Sequence, residues 1–161
     1  MIMKPEKRFM LEAIEQAKKC QVKEYPIGAV VVRNNQILAK GQSLSFINKD
    51  PTDHAEIVAI REATRKLGFL YLEGCVLYST LEPCAMCAGA AVWAKMDGII
   101  FGATMEDAID YSRNIKDKDV SLSYRQILIK CKDVLDKSQP KINLVEGFMR
   151  DECKRLFLLS K

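Results

Sequence analysis

The sequence has one histidine and one tryptophan in 161 residues, and its aromatic content is only 7%. A single histidine excludes a histidine-rich metal cage and any two-histidine motif of the metalloprotease kind. Imidazole chemistry, if there is any, passes through His54. Long apolar runs are also missing. The longest, Cys84 to Ala94, contains Gly89 and falls well short of the ~20 residues a bilayer-spanning helix needs. No apolar stretch follows the basic residues of Met1–Arg8, so no secretory signal is expected. Low-complexity segments, internal repeats and Gly/Ser linkers are absent too, and the length suits one domain over residues 1–161.

A cytoplasmic location follows as an expectation, and there the six cysteines stay reduced. Cys20, Cys75, Cys131 and Cys153 then read as structural thiols. The net charge of +4 is local. Residues 113–141 carry eight basic and four acidic side chains, and the rest of the chain is balanced. Such a mixed segment reads first as a solvated face, with a nucleic-acid contact as the alternative.

Periodicity predicts a helix over about 6–23, a strand from Ile27, a tight turn at Asn34-Asn35 and a second strand over 36–40. A polar loop over 43–53 precedes a helix over 54–67 closed by Gly68, then a strand from Cys75 and a helix over 84–96. A strand at 98–103 follows, with helix around 123–131, strand at 142–145 and helix over 148–159. The order β-β-α-β-α-β points to the α/β class: a mixed sheet with helices on both faces.

Two motifs open two of these helices: His54-Ala-Glu56 and Pro83-Cys84-Ala-Met-Cys87. Cys84 and Cys87 share one face of a first helical turn, where exposed N–H groups favour thiolates. With His54 they make three zinc ligands and leave a fourth position open, the pattern of a catalytic site. Zinc lowers the pKa of a bound water toward ~7, and Glu56, two residues past His54, is the base within reach. A thioredoxin-like redox pair would leave His54 and Glu56 idle. A structural zinc site would need a fourth ligand, for which Cys75 at the start of a strand is poorly placed.

The two motifs together form the His-x-Glu … Pro-Cys-x-x-Cys signature of zinc deaminases. The chain resembles the zinc-dependent cytidine and deoxycytidylate deaminase superfamily. Pro26-Ile-Gly-Ala-Val-Val-Val, Asp50-Pro-Thr-Asp-His-Ala-Glu-Ile and Leu81-Glu-Pro-Cys-Ala-Met-Cys-Ala-Gly-Ala are similar to its branch of guanine deaminases, yeast-type cytosine deaminases and tRNA adenosine deaminases. That resemblance implies a three-layer α/β/α cytidine-deaminase-like fold with about five strands, and a homodimer. It also implies Zn2+ on His54, Cys84 and Cys87, with Glu56 as proton shuttle. The base edge would be held by the N–H of Ala55 and main-chain groups around Glu82.

Departures bear on the substrate. Ser43 stands where relatives usually carry Asn, and Asn48 is a candidate replacement. Asp53 precedes the zinc histidine where a small residue is common, and a helix cap is its expected role. Trp93 offers an aromatic wall for a free base, with core packing as its alternative. Thr104–Ser112 lacks the loop usual in tRNA enzymes, whereas Leu81–Ala90 and Val145–Cys153 resemble those enzymes. Asp110, Asp117 and Asp119 are candidate purine readers. The leading expectation is a hydrolytic deaminase of a free nucleobase or nucleoside, guanine- or cytosine-like. Wobble-position adenosine in tRNA is the alternative, and a non-catalytic zinc-stabilised interaction module is a third reading.

Overall fold

The computed structural model describes residues 3–21, 23–114 and 127–159. Among them a five-stranded mixed sheet has the order β2-β1-β3-β4-β5, built from Gly28–Arg33 (β1), Gln36–Gln42 (β2), Cys75–Leu81 (β3), Gly98–Ala103 (β4) and Asn143–Val145 (β5). β1 pairs antiparallel with β2 and β3, while β3–β4 and β4–β5 are parallel. This is the expected α/β arrangement, with its hairpin at the expected turn. Asn34 and Asn35 both take positive φ, 49° and 60°, as a two-residue hairpin of matching twist requires.

Alternation along the strands sends side chains to two cores. Val31, Leu77, Ile99 and Phe101 face Ala55–Leu67 (α3) and Ala85–Trp93 (α4); Val30, Tyr78 and Ile100 face Lys7–Lys18 (α1). The sheet is therefore covered on both sides. Gly28 is required by the closeness of α1: a Cβ there would fall 1.9 Å from the Ala13 carbonyl oxygen. No helix among the described residues is long and apolar enough to cross a membrane.

Several boundaries differ from expectation. α1 ends at Lys18, and the 43–53 loop holds a short helix, Ser45–Asn48 (α2). Residues 105–114, not assigned a helix from the sequence, form Met105–Asn114 (α5), with Met105 and Ala108 buried. The helix expected over 123–131 is not found in its described part. Residues 127–130 are irregular and Ile127 and Leu128 are exposed, so helix begins only at Cys131–Asp136 (α6). Residues 123–126 lie outside the described part. Near the carboxy terminus, Gly147 and Met149 take positive φ, so helix starts at Arg150–Arg155 (α7) and tightens to a 3-10 turn over Leu156–Leu159.

Candidate active site

The ends of the parallel strands β3 and β4, where α/β folds place ligands, abut the start of α3. His54 is the N-cap residue of α3 and Cys84 that of α4. Neither caps its helix with its side chain. Both side chains turn instead toward Cys87, one turn into α4. Cys84 Sγ lies 3.7 Å from Cys87 Sγ and 3.7 Å from His54 Nδ1, and Cys87 Sγ lies 3.6 Å from the same nitrogen.

These edges can be tested against zinc. Bonds of ~2.3 Å to sulfur and ~2.0–2.1 Å to nitrogen give a tetrahedron with S···S edges of about 3.8 Å and S···N edges of about 3.6 Å. The three atoms fit one face of it, and two thiolates with an imidazole are a zinc donor set. Without metal, the hydrogen bond from Cys87 and the contact with His54 bring the Cys84 thiol down to about 4. The Cys87 thiol is pushed up by its bond to Cys84 and by burial. The contact with Cys84 raises His54. The Cys84 thiolate is thus favoured beside the imidazole, and a thiolate is the form in which cysteine binds a metal.

Glu56 sits beside these ligands in the first turn of α3, 3% exposed. Its Oε1 accepts a hydrogen bond from Ser79 Oγ at 3.1 Å, and Oε2 lies 3.7 Å from Cys87 Sγ. Burial pushes its carboxyl up, with the neighbouring His54 opposing. A carboxyl group raised in this way beside a metal position can accept a proton and pass it on. Ser79 was not singled out from the sequence. Its signal was a polar side chain at the same strand parity as Leu77, facing α3.

His54, Glu56 and Cys84 open on a cavity of about 230 Å³ whose walls include Glu82, Met86 and Ile127. That is smaller than the ~300–1,000 Å³ typical of small-molecule sites and suits a flat ring. A larger cleft of about 490 Å³ lies between β2 and α3, but none of the three ligand candidates nor Glu56 lines it.

Other expected contacts fall elsewhere. Ala55 is buried at the start of α3, where first-turn N–H groups lack intrahelical partners. The N–H of Glu82, by contrast, donates to the Ala103 carbonyl at 2.8 Å, so it is not available to a base edge. Ser43 is not part of the cavity wall, because its hydroxyl donates to Glu24 at 2.9 Å. The Asn48 amide donates to Asp53 at 2.7 Å and lines the β2–α3 cleft. Asp53 does not cap α3; its carboxylate accepts from Asn48 and from the Arg61 guanidinium. Trp93 is 83% exposed at the far end of α4, so it neither walls the cavity nor packs in the core. Asp110 lines a separate surface cleft with Tyr111 and Lys154. Asp117 and Asp119 are outside the described residues.

Residues 3–103 match the family described as the cytidine and deoxycytidylate deaminase zinc-binding region. The tRNA-specific adenosine deaminase of Aquifex aeolicus is 46% identical over 96 residues, 59% of this chain and 64% of that protein. The guanine deaminase of Bacillus subtilis is 44% identical over 85 residues, 53% of this chain and 54% of that protein. In both cases the match spans less than two thirds of the relative's length. A tRNA-specific adenosine deaminase of Buchnera aphidicola matches more of the chain, 36% identical over 154 residues, 94% of this chain and 85% of that protein. A solved structure from work on A-to-I editing by tRNA:A34 deaminases is similar with a TM-score of 0.74 and 28% identity, covering 94% of this chain and 99% of that one.

Proposed function

The chain belongs to the cytidine and deoxycytidylate deaminase family, and from that premise we propose that it is a zinc-dependent hydrolytic deaminase acting on adenosine in tRNA. The observation that carries deamination is the trigonal His54–Cys84–Cys87 set with buried Glu56 beside it at the cavity floor. The tRNA substrate is supported by the relatives. The match to the Buchnera tRNA deaminase runs over 154 residues, whereas that to the guanine deaminase runs over 85. The expectation of a free base rests on Trp93 and on the missing tRNA-type loop at Thr104–Ser112, and the exposure of Trp93 removes the first of these.

Zinc held by His54, Cys84 and Cys87 supplies a Lewis acid that acidifies water at neutral pH. The work of the chain's own groups is proton transfer and placement. Glu56 takes a proton from the attacking water through Oε2 and delivers it to the departing amine, while Ser79 holds Oε1. Water adds its oxygen to the ring carbon that bears the amine, the carbon–nitrogen bond breaks to release ammonia, and that carbon becomes a carbonyl as the second water proton passes to the adjacent ring nitrogen. The N–H of Ala55, between the two cavity residues His54 and Glu56, is the candidate partner for the ring edge. An adenosine within an anticodon loop would have to swing out of its stack to enter the cavity, and phosphate contacts would make its binding salt-sensitive.

Free guanine is the second reading, favoured by the base-sized cavity and the 44% identical guanine deaminase. A panel of tRNA transcripts, guanine, cytosine, adenine and their nucleosides separates the two readings. Inosine in tRNA that disappears in Glu56→Ala with zinc retained supports the first. Turnover of guanine with none of tRNA overturns it in favour of the second. We further propose one deaminase domain, cytoplasmic, consistent with six free cysteines, and a homodimer. The Leu72 N–H donates to the Ala94 carbonyl, so exposed Phe69 and Leu70 share one end of the molecule with Trp93, and that patch is the candidate dimer face.

A further inference from the structure

The cavity wall holds two acidic side chains, and the chemistry above uses only Glu56. The other, Glu82, is 7% exposed, a costly place for a carboxylate without partners. Its two oxygens diverge. Oε2 accepts the N–H of Met105 at 2.9 Å, and Oε1 accepts the N–H of Cys131 at 3.0 Å. Met105 opens α5 and Cys131 opens α6, so one side chain at the end of β3 satisfies the first N–H of two helices far apart in the chain. Its own N–H is tied to Ala103, at the end of β4. Lys130, beside Cys131, pairs with Glu106 of α5 at 2.7 Å and reinforces the same junction on its exposed side. Four residues before Cys131 stands Ile127, which forms part of the cavity wall although 61% of it is exposed.

We propose that Glu82 is a positioning residue that sets substrate affinity: its carboxylate latches α5 and α6 to the end of β3 and so holds Ile127 against the cavity. The inference rests on the deaminase reading for its kinetic part only. A glutamine at this position keeps the shape but presents one NH2 group to a backbone N–H, a donor facing a donor, so one latch bond is lost. Aspartate is a methylene shorter and cannot span both amides.

The test uses the zinc-loaded full chain with the substrate that the panel identifies. Glu82→Gln and Glu82→Asp should raise KM about tenfold while kcat stays within about threefold, as loss of binding alone requires. Zinc content should stay at the wild-type level. Amide hydrogen exchange read by NMR at Met105 and Cys131 should quicken by about tenfold or more as the opened amides lose their acceptors. Ile127→Ala, at an exposed position that does not endanger folding, should reproduce the KM rise with exchange at the two amides unchanged. The Glu82→Gln/Ile127→Ala pair should cost no more in KM than the larger single effect. Wild-type exchange in the Glu82 variants, an unchanged KM in Ile127→Ala, or a fall in kcat at constant KM would each overturn the proposal. If the wild-type protein turns over no substrate, the deaminase reading fails separately, and the exchange rates alone then decide the latch.

Discussion

Ser79 gives the sharpest test of how Glu56 is tuned. The serine is fully buried in β3, and its hydroxyl donates to Glu56 Oε1 at 3.1 Å. Ser79→Ala removes one oxygen and leaves the backbone pairing of β3 with β1 and β4 intact. Burial pushes the Glu56 carboxyl up, and the Ser79 hydrogen bond is one of the influences pulling it down. Without that bond the carboxyl rises further, and a smaller fraction of the protein carries the base ionised at neutral pH. A hydrogen bond to a charged group contributes about 1.5–3 kcal/mol, which converts to a loss of roughly 10- to 150-fold in kcat if the carboxylate is needed ionised and oriented. The sign is specific. Activity that requires the ionised base falls on the acid side, so the acid limb of the kcat profile should move to higher pH, and raising the pH should recover part of the loss. Zinc content, measured alongside by atomic absorption, should match the wild type, because the Ser79 hydroxyl bonds to Glu56 and to the Leu81 N–H rather than to a ligand candidate. A Ser79→Ala variant with kcat within twofold of wild type and an unmoved acid limb would refute this reasoning.

Cys84→Ser and Cys87→Ser should each lose zinc and ammonia release together, and a strong chelator should do the same to the wild type with recovery on adding Zn2+. Asp107, 7% exposed on α5, accepts two hydrogen bonds of 2.8 Å from the Arg150 guanidinium, which holds its carboxyl well below the usual carboxylate range. Asp107→Asn should therefore lower stability in urea unfolding at pH 7 by about 1–3 kcal/mol, discounted toward the lower end because Arg150 is half exposed. In the wild type this contribution is present above a carboxylate's ordinary pKa of ~3.9 and drains away as the pH falls below it, so the two proteins should converge in strong acid. Trp93→Ser should leave kcat and KM for small substrates unchanged, and light scattering should show a dimeric wild type weakened toward monomer. A wild type that runs as a monomer rejects the dimer.

Much of the site was legible because its chemistry is local. The spacing of Cys84 and Cys87 follows from helical geometry, and Gly68, Pro83 and the Asn34-Asn35 turn mark element ends through backbone preferences that tertiary context leaves alone. Where local signals compete, tertiary contacts decide. Ile127-Leu-Ile129 is apolar enough for a helix face, yet Ile127 and Leu128 remain exposed, and helix starts at Cys131 beside the Glu82 carboxylate. Asp53 has the chemistry of a cap, but its carboxylate is taken up by the Asn48 amide and by the Arg61 guanidinium, which adds a full positive charge that a backbone N–H lacks. Trp93 ends an alanine-rich helix, whose small side chains leave its orientation to packing that no periodicity encodes.

Residue types and their short-range spacing were enough to single out the candidate zinc donors, the acid beside them and the order of the five strands. These rest on covalent proximity and on hydrogen-bond geometry within a turn. Which side chains meet across the sheet was settled only by folding. Ser79 reaches Glu56 from β3, Glu24 takes up Ser43, and Glu82 binds residues 23 and 49 positions away. Such contacts depend on strand parity, on how closely α1 and α3 approach the sheet, and on which buried polar group finds a partner first. For that reason the candidate ligands and the acid beside them could be read from the order of residues, while the shape of the cavity they open on required the packed molecule.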